Sequence, residues 1–291
     1  MNILITGGAG FFGRHYVRAV LDSFSVEGLR RLNLNTIFPA ERVCIYSRGE
    51  HSQAEFRSEL RDDARCRWFI GDVRDRDRLR RAFEGIDLVV HAAALKRIEV
   101  GYYNPLEMKK TNIDGSSNVI EAAIDSGVGR VVALSSDKAF QPVSPYGASK
   151  ALAESLFLSA NNMTTRTKFS VCRYGNVWGS TGSIVPIWKR LIKEGVKELP
   201  VTDPDCTRFF MTIKEAVQLV MDTSGAMPGD VMIPDLPAYR IGDLAEAFGL
   251  PMKVTGLNHW EKKHEGMSEG RTSDLARRMT VDELREALNA L

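Results

Sequence analysis

Thr6-Gly7-Gly8-Ala9-Gly10-Phe11-Phe12-Gly13 follows a short apolar run, Asn2 to Thr6, and leads into a segment with helical periodicity, Phe12 to Asp22. Glycine at positions 7, 10 and 13 meets three demands of a dinucleotide-binding strand–turn–helix: a tight turn, close backbone approach to a pyrophosphate, and close packing of helix on strand. The anion would rest on the free amides of the helix N-terminus, where the helix dipole favours negative charge. A glycine triplet alone carries little weight. Between a strand and a helix it specifies a Rossmann-type unit.

The next strands extend that reading. Arg42 to Ser47 is a second strand, and it ends in Tyr46-Ser47-Arg48, with no acid where the ribose hydroxyls are usually held. Ser47 and Arg48 are suited to a 2′-phosphate, which favours NADP while leaving NAD open. A third strand, Cys66 to Ile70, leads to Asp72-Val73, suited to the adenine edge, and a fourth, Leu88 to His91, leads to Ala92-Ala93-Ala94, small enough to lie against the cofactor. His91 reads as a packed strand residue.

Strands and helices keep alternating: a helix from Thr111 to Ser126, a strand from Arg130 to Ser135, a helix from Tyr146 to Ala160 and a strand from Phe169 to Tyr174. Such βα repeats predict an α/β fold, a Rossmann-type doubly wound parallel sheet. After Gly175 the rhythm changes. We read residues 1–175 with about 211–233 as the dinucleotide-binding domain, and 176–210 with 234–291 as a smaller, mostly helical substrate lobe. Within it, Pro200 to Arg208 reads as loop, and short helices follow Leu236.

The chemistry lies after the fifth strand, in Ser135-Ser136-Asp137-Lys138 and Tyr146-Gly-Ala-Ser-Lys150. Ligands bind at the carboxyl ends of strands in such sheets. Tyr146 and Lys150, four apart, share one helix face. A phenol titrates near ~10, so a fixed ammonium is needed to make it a base near neutrality. An acid and a lysine side by side at a strand end fit general acid–base work.

The 291 residues include 44% hydrophobic and 26% charged, with a net charge of +2, which gives no case for nucleic-acid or membrane binding as the main activity. Cys44, Cys66, Cys172 and Cys206 lack metal-ligand spacing, so no metal site is expected and a reducing compartment is. No apolar run approaches the ~20 residues of a membrane span. The chain opens on a strand without a leader, so a cytoplasmic protein is expected.

Together these residues resemble the extended short-chain dehydrogenase/reductase superfamily, and within it the inverting UDP-N-acetylglucosamine 4,6-dehydratase family of polysaccharide biosynthesis. The resemblance rests on Tyr46-Ser-Arg, Gly71-Asp-Val-Arg-Asp, His91-Ala-Ala-Ala-Leu-Lys96, Thr111-Asn-Ile-Asp-Gly115 and Leu134-Ser-Ser-Asp-Lys-Ala139. It continues through Tyr146-Gly-Ala-Ser-Lys150, Arg173-Tyr-Gly-Asn-Val-Trp-Gly-Ser180, Gly182-Ser-Ile-Val-Pro186 and Thr207-Arg-Phe209, covering residues 1 to about 240. Epimerases of the superfamily usually lack the Asp-Lys pair, and retaining relatives usually carry Met where this chain has Tyr146.

The resemblance implies a hydro-lyase in which Tyr146, aided by Lys150, takes the 4-hydroxyl proton, Lys138 the C5 proton, and Asp137 protonates the departing 6-hydroxyl. It implies cofactor contacts at Thr6, Gly7, Gly10, Phe11, Phe12, Gly13, Ser47, Arg48, Asp72, Val73, Ala92, Ala93, Ala94, Lys96, Asn112, Ser135, Tyr146, Lys150, Tyr174, Gly175 and Val177. It implies substrate contacts at Lys96, Ser136, Asn176, Ser183, Arg208 (for the diphosphate) and Glu265. It also implies a homo-oligomer paired through the helices beginning near Thr111 and Tyr146. The family's Arg-Pro-Gly-Glu-Lys-x-His-Glu segment corresponds to Asn258-His-Trp-Glu-Lys-Lys-His-Glu265, with Asn258 in the arginine's place. A nucleotide-sugar epimerase or 5,6-dehydratase sharing the transient 4-ketone, and a cofactor-binding scaffold, are the competing expectations.

Overall fold

The computed structural model describes residues 1–22 and 40–291. In chain order its strands begin with β1 (Asn2–Thr6), β2 (Arg42–Ser47), β3 (Cys66–Ile70), β4 (Leu88–His91), β5 (Arg130–Leu134) and β6 (Lys168–Cys172). Next come β7 (Asn176–Val177), β8 (Leu199–Val201), β9 (Thr207–Met211) and β10 (Val231–Met232). Seven of these form one parallel sheet in the order β10-β6-β5-β4-β1-β2-β3. The order reverses between β1 and β4, so the crevice at their carboxyl ends is where this topology binds ligands.

Alternation of side chains along the strands builds two cores. Ile3, Ile5, Val43 and Ile45 face Tyr16, Val17 and Val20 of the helix Phe11–Asp22. Leu4, Cys44 and Tyr46 face the opposite layer, with Leu79, Phe83, Val119 and Phe157. Both faces are covered, which is why these strands read as continuous apolar runs. All four cysteines are buried free thiols. No helix among the described residues is long and apolar enough to cross a membrane.

His91 is packed inside β4, as its sequence context suggested. Its Nδ1 lies 2.9 Å from Thr6 Oγ1 and its Nε2 lies 3.3 Å from Ser116 Oγ, pinning β1, β4 and the helix Gly115–Asp125 together. Burial drives its pKa down to about 3, so the ring is neutral. The predicted Thr111–Ser126 helix opens with a π-helical turn, Lys110–Asp114, before Gly115–Asp125.

The second lobe differs from the sequence expectation. Pro200–Arg208 is loop only in its middle, residues 202–206, and its two ends are strand. Leu199–Val201 and Thr207–Met211 are strands, and a tight turn between them is held by Asp203 Oδ1 accepting from Asp205 N at 2.8 Å. Beyond Leu236 the helices Ile241–Phe248 and Val281–Asn289 alternate with β11 (Ala238–Arg240), β12 (Met252–Val254), β13 (Gly266–Ser268) and β14 (Arg271–Thr272). β9 lies between β7 and β11, while β8 pairs with β12. Strands of two or three residues carry almost no local signal, because their stability comes from partners far along the chain. The lobe core gathers Trp178, Trp188, Tyr239, Leu244 and Leu284. A separate apolar seam of Phe209, Met211, Leu236 and Met267 packs against Phe12 and Tyr174 of the nucleotide domain.

Two glycines make the packing testable. A Cβ on Gly13 would lie 2.5 Å from Gly8 O and 2.6 Å from Gly7 O, both backbone atoms, whereas a Cβ on Gly225 would meet nothing within 4 Å. Gly13→Ala should cost about 1–3 kcal/mol in urea titration, while Gly225→Ala should gain about 0.4–1 kcal/mol. For His91 the sign follows from burial. Between its ordinary 6.5 and about 3 the unfolded chain binds a proton that the folded chain refuses, so stability falls as pH drops through that window. His91→Asn should shrink the loss in unfolding free energy between pH values near neutrality and those near ~4.

Candidate active site

The glycine turn is held by its own backbone. Gly7 has φ +72°, a conformation that glycine adopts without strain. Its N–H and that of Gly8 donate to Tyr46 O at 2.8 and 3.2 Å, and Gly10 N donates to Gly7 O at 2.9 Å. A Cβ on Gly7 would sit 3.1 Å from the Ala93 backbone, so β1 and β4 close tightly on this loop. The resulting cradle opens onto a cleft of about 1520 Å³ that runs from the glycine turn to Ser183 and Trp260.

Most of the sequence-predicted residues meet on its wall. Gly7, Gly10, Phe11, Phe12 and Gly13 line one end, with Ser47, Arg48, Asp72, Val73 and Ala92–Ala94 beside them. Lys96, Ser135, Ser136, Lys138, Tyr146, Lys150, Tyr174, Gly175, Asn176, Val177 and Ser183 line the rest. The Arg48 guanidinium is more than half exposed and stands 3.8 Å from the Asp72 carboxylate.

Five predicted residues are elsewhere, each for a visible reason. Thr6 is fully buried, its hydroxyl accepting from Ala93 N at 3.2 Å as well as meeting His91. It shapes the cofactor loop from behind. Asn112 is also buried and clamps the loop after β4, accepting from Leu95 N at 2.8 Å and donating to Leu95 O at 2.9 Å and Ser149 Oγ at 3.0 Å. Arg208 donates to the backbone oxygens of Thr207 and Lys263 at 2.8 and 3.1 Å, so it stands behind the cleft wall. Asp203 and Asp205 pair instead with Lys263 and Arg240. Asp137 and Glu265 are buried one layer below the surface, on either side of Lys138.

Those last two define the electrostatics. The turn Asp137–Ala139 is capped by Ser136, whose Oγ accepts from Lys138 N at 3.3 Å and donates to Asp137 Oδ1 at 2.9 Å. Lys138 Nζ then reaches Asp137 Oδ1 at 2.9 Å, Asn176 Oδ1 at 3.0 Å and Glu265 Oε1 at 3.3 Å. Burial alone would weaken the Lys138 ammonium, but the two carboxylates outweigh it and its proton is held more tightly than usual. Burial raises the Asp137 carboxyl. Burial also opposes ionisation of Glu265, but Lys138, Arg208 and Lys262 overcome it and hold the Glu265 carboxyl below the usual range.

Tyr146 and Lys150 share the helix Pro145–Ser159 as predicted, and both are buried at the cleft wall. A second lysine, Lys138, also bears on the phenol. Lys150 Nζ donates to Leu134 O at 2.5 Å, and burial lowers its pKa to about 8, with Glu154 opposing. Burial raises the Tyr146 phenol, and the cation that counters it is Lys138, helped by a hydrogen bond with Ser136. Four-residue spacing aligns two Cα–Cβ vectors, but it does not decide where a flexible lysine sends its charge.

Sequence reasoning missed Tyr239, buried in β11, whose phenol is hydrogen-bonded to Asn176 and is pushed up to about 12 by burial. A three-residue strand offered no signal for it. Also missed as cleft residues were Arg14, Arg97 and Thr181. Among the described residues no group of three or more His, Cys, Asp or Glu is placed to hold a metal ion. The cradle does fit a dinucleotide: Gly7, Gly10, Phe11, Phe12 and Gly13 line the cleft where the helix Phe11–Asp22 begins, and side chains at Gly7 and Gly13 would press on the backbone that shapes this turn.

Comparison with known proteins agrees with this geometry. A family model described as "Polysaccharide biosynthesis protein" matches residues 3–283. The UDP-N-acetylglucosamine 4,6-dehydratase (inverting) of Campylobacter jejuni subsp. jejuni serotype O:2 is 44% identical over 280 residues, covering 94% of this chain and 79% of that one. The UDP-glucose 4-epimerase of Rickettsia prowazekii is 38% identical over 275 residues, covering 91% and 77%. Among solved structures, Pen from Bacillus thuringiensis superposes with a TM-score of 0.88 at 32% identity, covering 100% of this chain and 98% of that one. DesIV, a dTDP-glucose 4,6-dehydratase from Streptomyces venezuelae solved with NAD and TYD bound, gives 0.82 at 22% identity, covering 99% and 96%, and shows the shared fold. By the span of the family model and by this identity, the chain belongs to the polysaccharide biosynthesis protein family of extended short-chain dehydrogenases/reductases.

Proposed function

We propose that this protein is a nucleotide-sugar 4,6-dehydratase, a hydro-lyase that acts on a UDP-N-acetylhexosamine with inversion at C5 and uses NADP. The observation that carries the proposal is the convergence of Asp137, Lys138 and Tyr146 at the carboxyl end of β5, where Lys138 and Tyr146 line the same cleft as the glycine cradle.

A nicotinamide dinucleotide in the cradle supplies a hydride acceptor and, later in the cycle, the donor. Tyr146 takes the proton of the sugar 4-hydroxyl. Its burial disfavours the phenolate, so it relies on the cation of Lys138 standing close by. A ketone at C4 then acidifies the C5 hydrogen, which Lys138 takes after its ammonium has released its own proton to solvent, against the hold of Asp137 and Glu265. Asp137, which burial biases toward its protonated form, donates to the 6-hydroxyl as it departs as water. The hydride removed from C4 would return to C6, and C5 is reprotonated on the opposite face. Ser136, Asn176 and Lys96 hold the sugar from the cleft wall, and Ser183 lines the same end.

The preference for NADP rests on Ser47 and Arg48 at the end of β2, where no acid is present to hold ribose hydroxyls. Assembly into a homo-oligomer through the helices Gly115–Asp125 and Pro145–Ser159 belongs to the same proposal. Leu152 offers an exposed apolar side chain on the second of these. A nucleotide-sugar epimerase is the alternative that the Rickettsia relative favours.

Incubation with UDP-N-acetylhexosamines should yield a 4-keto-6-deoxy product lighter by one water, with solvent deuterium at C5, read by mass and proton NMR. Lys138→Met should lower its formation about 10²–10⁴-fold while dinucleotide binding persists. A product of unchanged mass would replace dehydration by epimerisation. Arg48→Ala should weaken NADP binding relative to NAD by about 10–100-fold, from loss of a charge-assisted phosphate contact. Equal affinity of the unaltered protein for both dinucleotides would refute the NADP assignment.

A further inference from the structure

Two buried carboxylates flank the Lys138 ammonium, and one of them also faces Lys262, whose Nζ lies 3.5 Å from Glu265 Oε2. Lys138 Nζ stands 2.9 Å from Asp137 Oδ1 and 3.3 Å from Glu265 Oε1, and both acids are almost fully buried. Asp137 comes from the turn after β5, Glu265 from the lobe segment just before β13, so the site is complete only when the lobe is seated. The seating is specific: Lys262 Nζ donates to Phe140 O at 2.5 Å, Arg173 bonds the Met267 carbonyl, and a Cβ on Gly266 would meet Phe140 at 2.6 Å. Glu265 itself is fixed by its own N–H donating to Ser273 Oγ at 2.9 Å.

The two carboxylates are not equivalent. Around Glu265 stand Lys138, Arg208 from β9 and Lys262 from its own segment, with Tyr146 and Asp137 also within electrostatic reach. The cation paired with Asp137 among the described residues is Lys138, and Ser136, Tyr146, Tyr239 and Glu265 also face it. Asp137 Oδ2 and Glu265 Oε2 are both buried without a hydrogen-bond partner among the described residues, but Glu265 Oε2 has the Lys262 ammonium 3.5 Å away, whereas Asp137 Oδ2 has no such ion pair among the described residues. A charged oxygen left so is costly, whereas a protonated one is tolerated and keeps a proton to give.

We propose that Glu265 is a positioning residue that serves as the ionised counter-ion of Lys138 and thereby leaves Asp137 free to remain a protonated acid. The inference rests on the dehydratase reading for what Asp137 does with its proton. If Glu265 lost its charge, Asp137 would become the sole counter-ion of Lys138. It would ionise, and the departing hydroxyl would lose its proton donor. The opposite shifts of the two acids, Asp137 upward through burial and Glu265 downward through its three cations, agree with this division.

The test compares Glu265→Gln and Glu265→Asp with the unaltered chain. Glu265→Gln should lower kcat for dehydration about tenfold or more and move the alkaline limb of its pH profile down by about one pH unit or more, since a neighbouring charge shifts a carboxyl by that amount. Glu265→Asp should restore both in large part. Dinucleotide binding, measured by fluorescence, should be unchanged in each and shows that the fold survives. A uniform drop in kcat with the limb unmoved, or a change confined to KM, would overturn the proposal in favour of a structural or substrate-binding role. A second readout is independent of the reaction. Carboxyl ¹³C NMR titration of Asp137, assigned by the signal missing in Asp137→Asn, should show its midpoint falling in Glu265→Gln. An unmoved midpoint overturns the proposal even if dehydration is observed. A shifted midpoint without any dehydrated product would instead refute the dehydratase reading alone.

Discussion

A lysine ammonium buried between two carboxylates from opposite parts of the chain is the constraint on which the site turns. Taking charges out of water costs several kcal/mol per ion, and only close, well-directed partners repay it. Lys138 is therefore held to Asp137, Asn176 and Glu265 at hydrogen-bonding or ion-pair distance. The same geometry ties the lobe to the sheet: the apolar seam of Phe209, Met211 and Met267 supplies the contact, and the ion pair supplies the register.

The sheet places this group where a hydride donor can reach it. β5 ends beside β4 at the reversal of strand order, and the loop after β4 lies against the glycine turn after β1. His91, neutral between Thr6 and Ser116, fixes that relation without entering the cleft. Asn112 and Thr6 act in the same way, shaping loops from behind. Residues that match a binding motif can thus serve the ligand through the backbone they hold.

At the mouth of the cleft the chain departs from its family resemblance. Asn258 and Trp260 line the wall in the segment where an arginine and a glycine are usual. Trp260 packs on Tyr102 and His259 with ring centroids 4.5 and 4.4 Å apart, joining the lobe to the helix Ile98–Tyr103. Aromatic packing at such distances adds cohesion beyond the area it buries, so this rim is held by apolar contact where a cation would otherwise stand.

Gly7, Gly10 and Gly13, the apolar strands and the Asp137-Lys138 and Tyr146-Lys150 spacings were legible because each states a local demand. A positive φ, a two-residue alternation or a helical turn is written in neighbouring residues. The sequence by itself therefore determined the doubly wound sheet, the place of the cradle and the identity of most of the cleft wall. Tertiary structure alone decided that Lys138 also brings its positive charge to bear on Tyr146. It also decided that Arg208 and Glu265 lie behind the wall, and that short strands bind the lobe together. The reason is reach: a long side chain and a three-residue strand take their partners from segments distant in the chain, and nothing in their own neighbourhood names them.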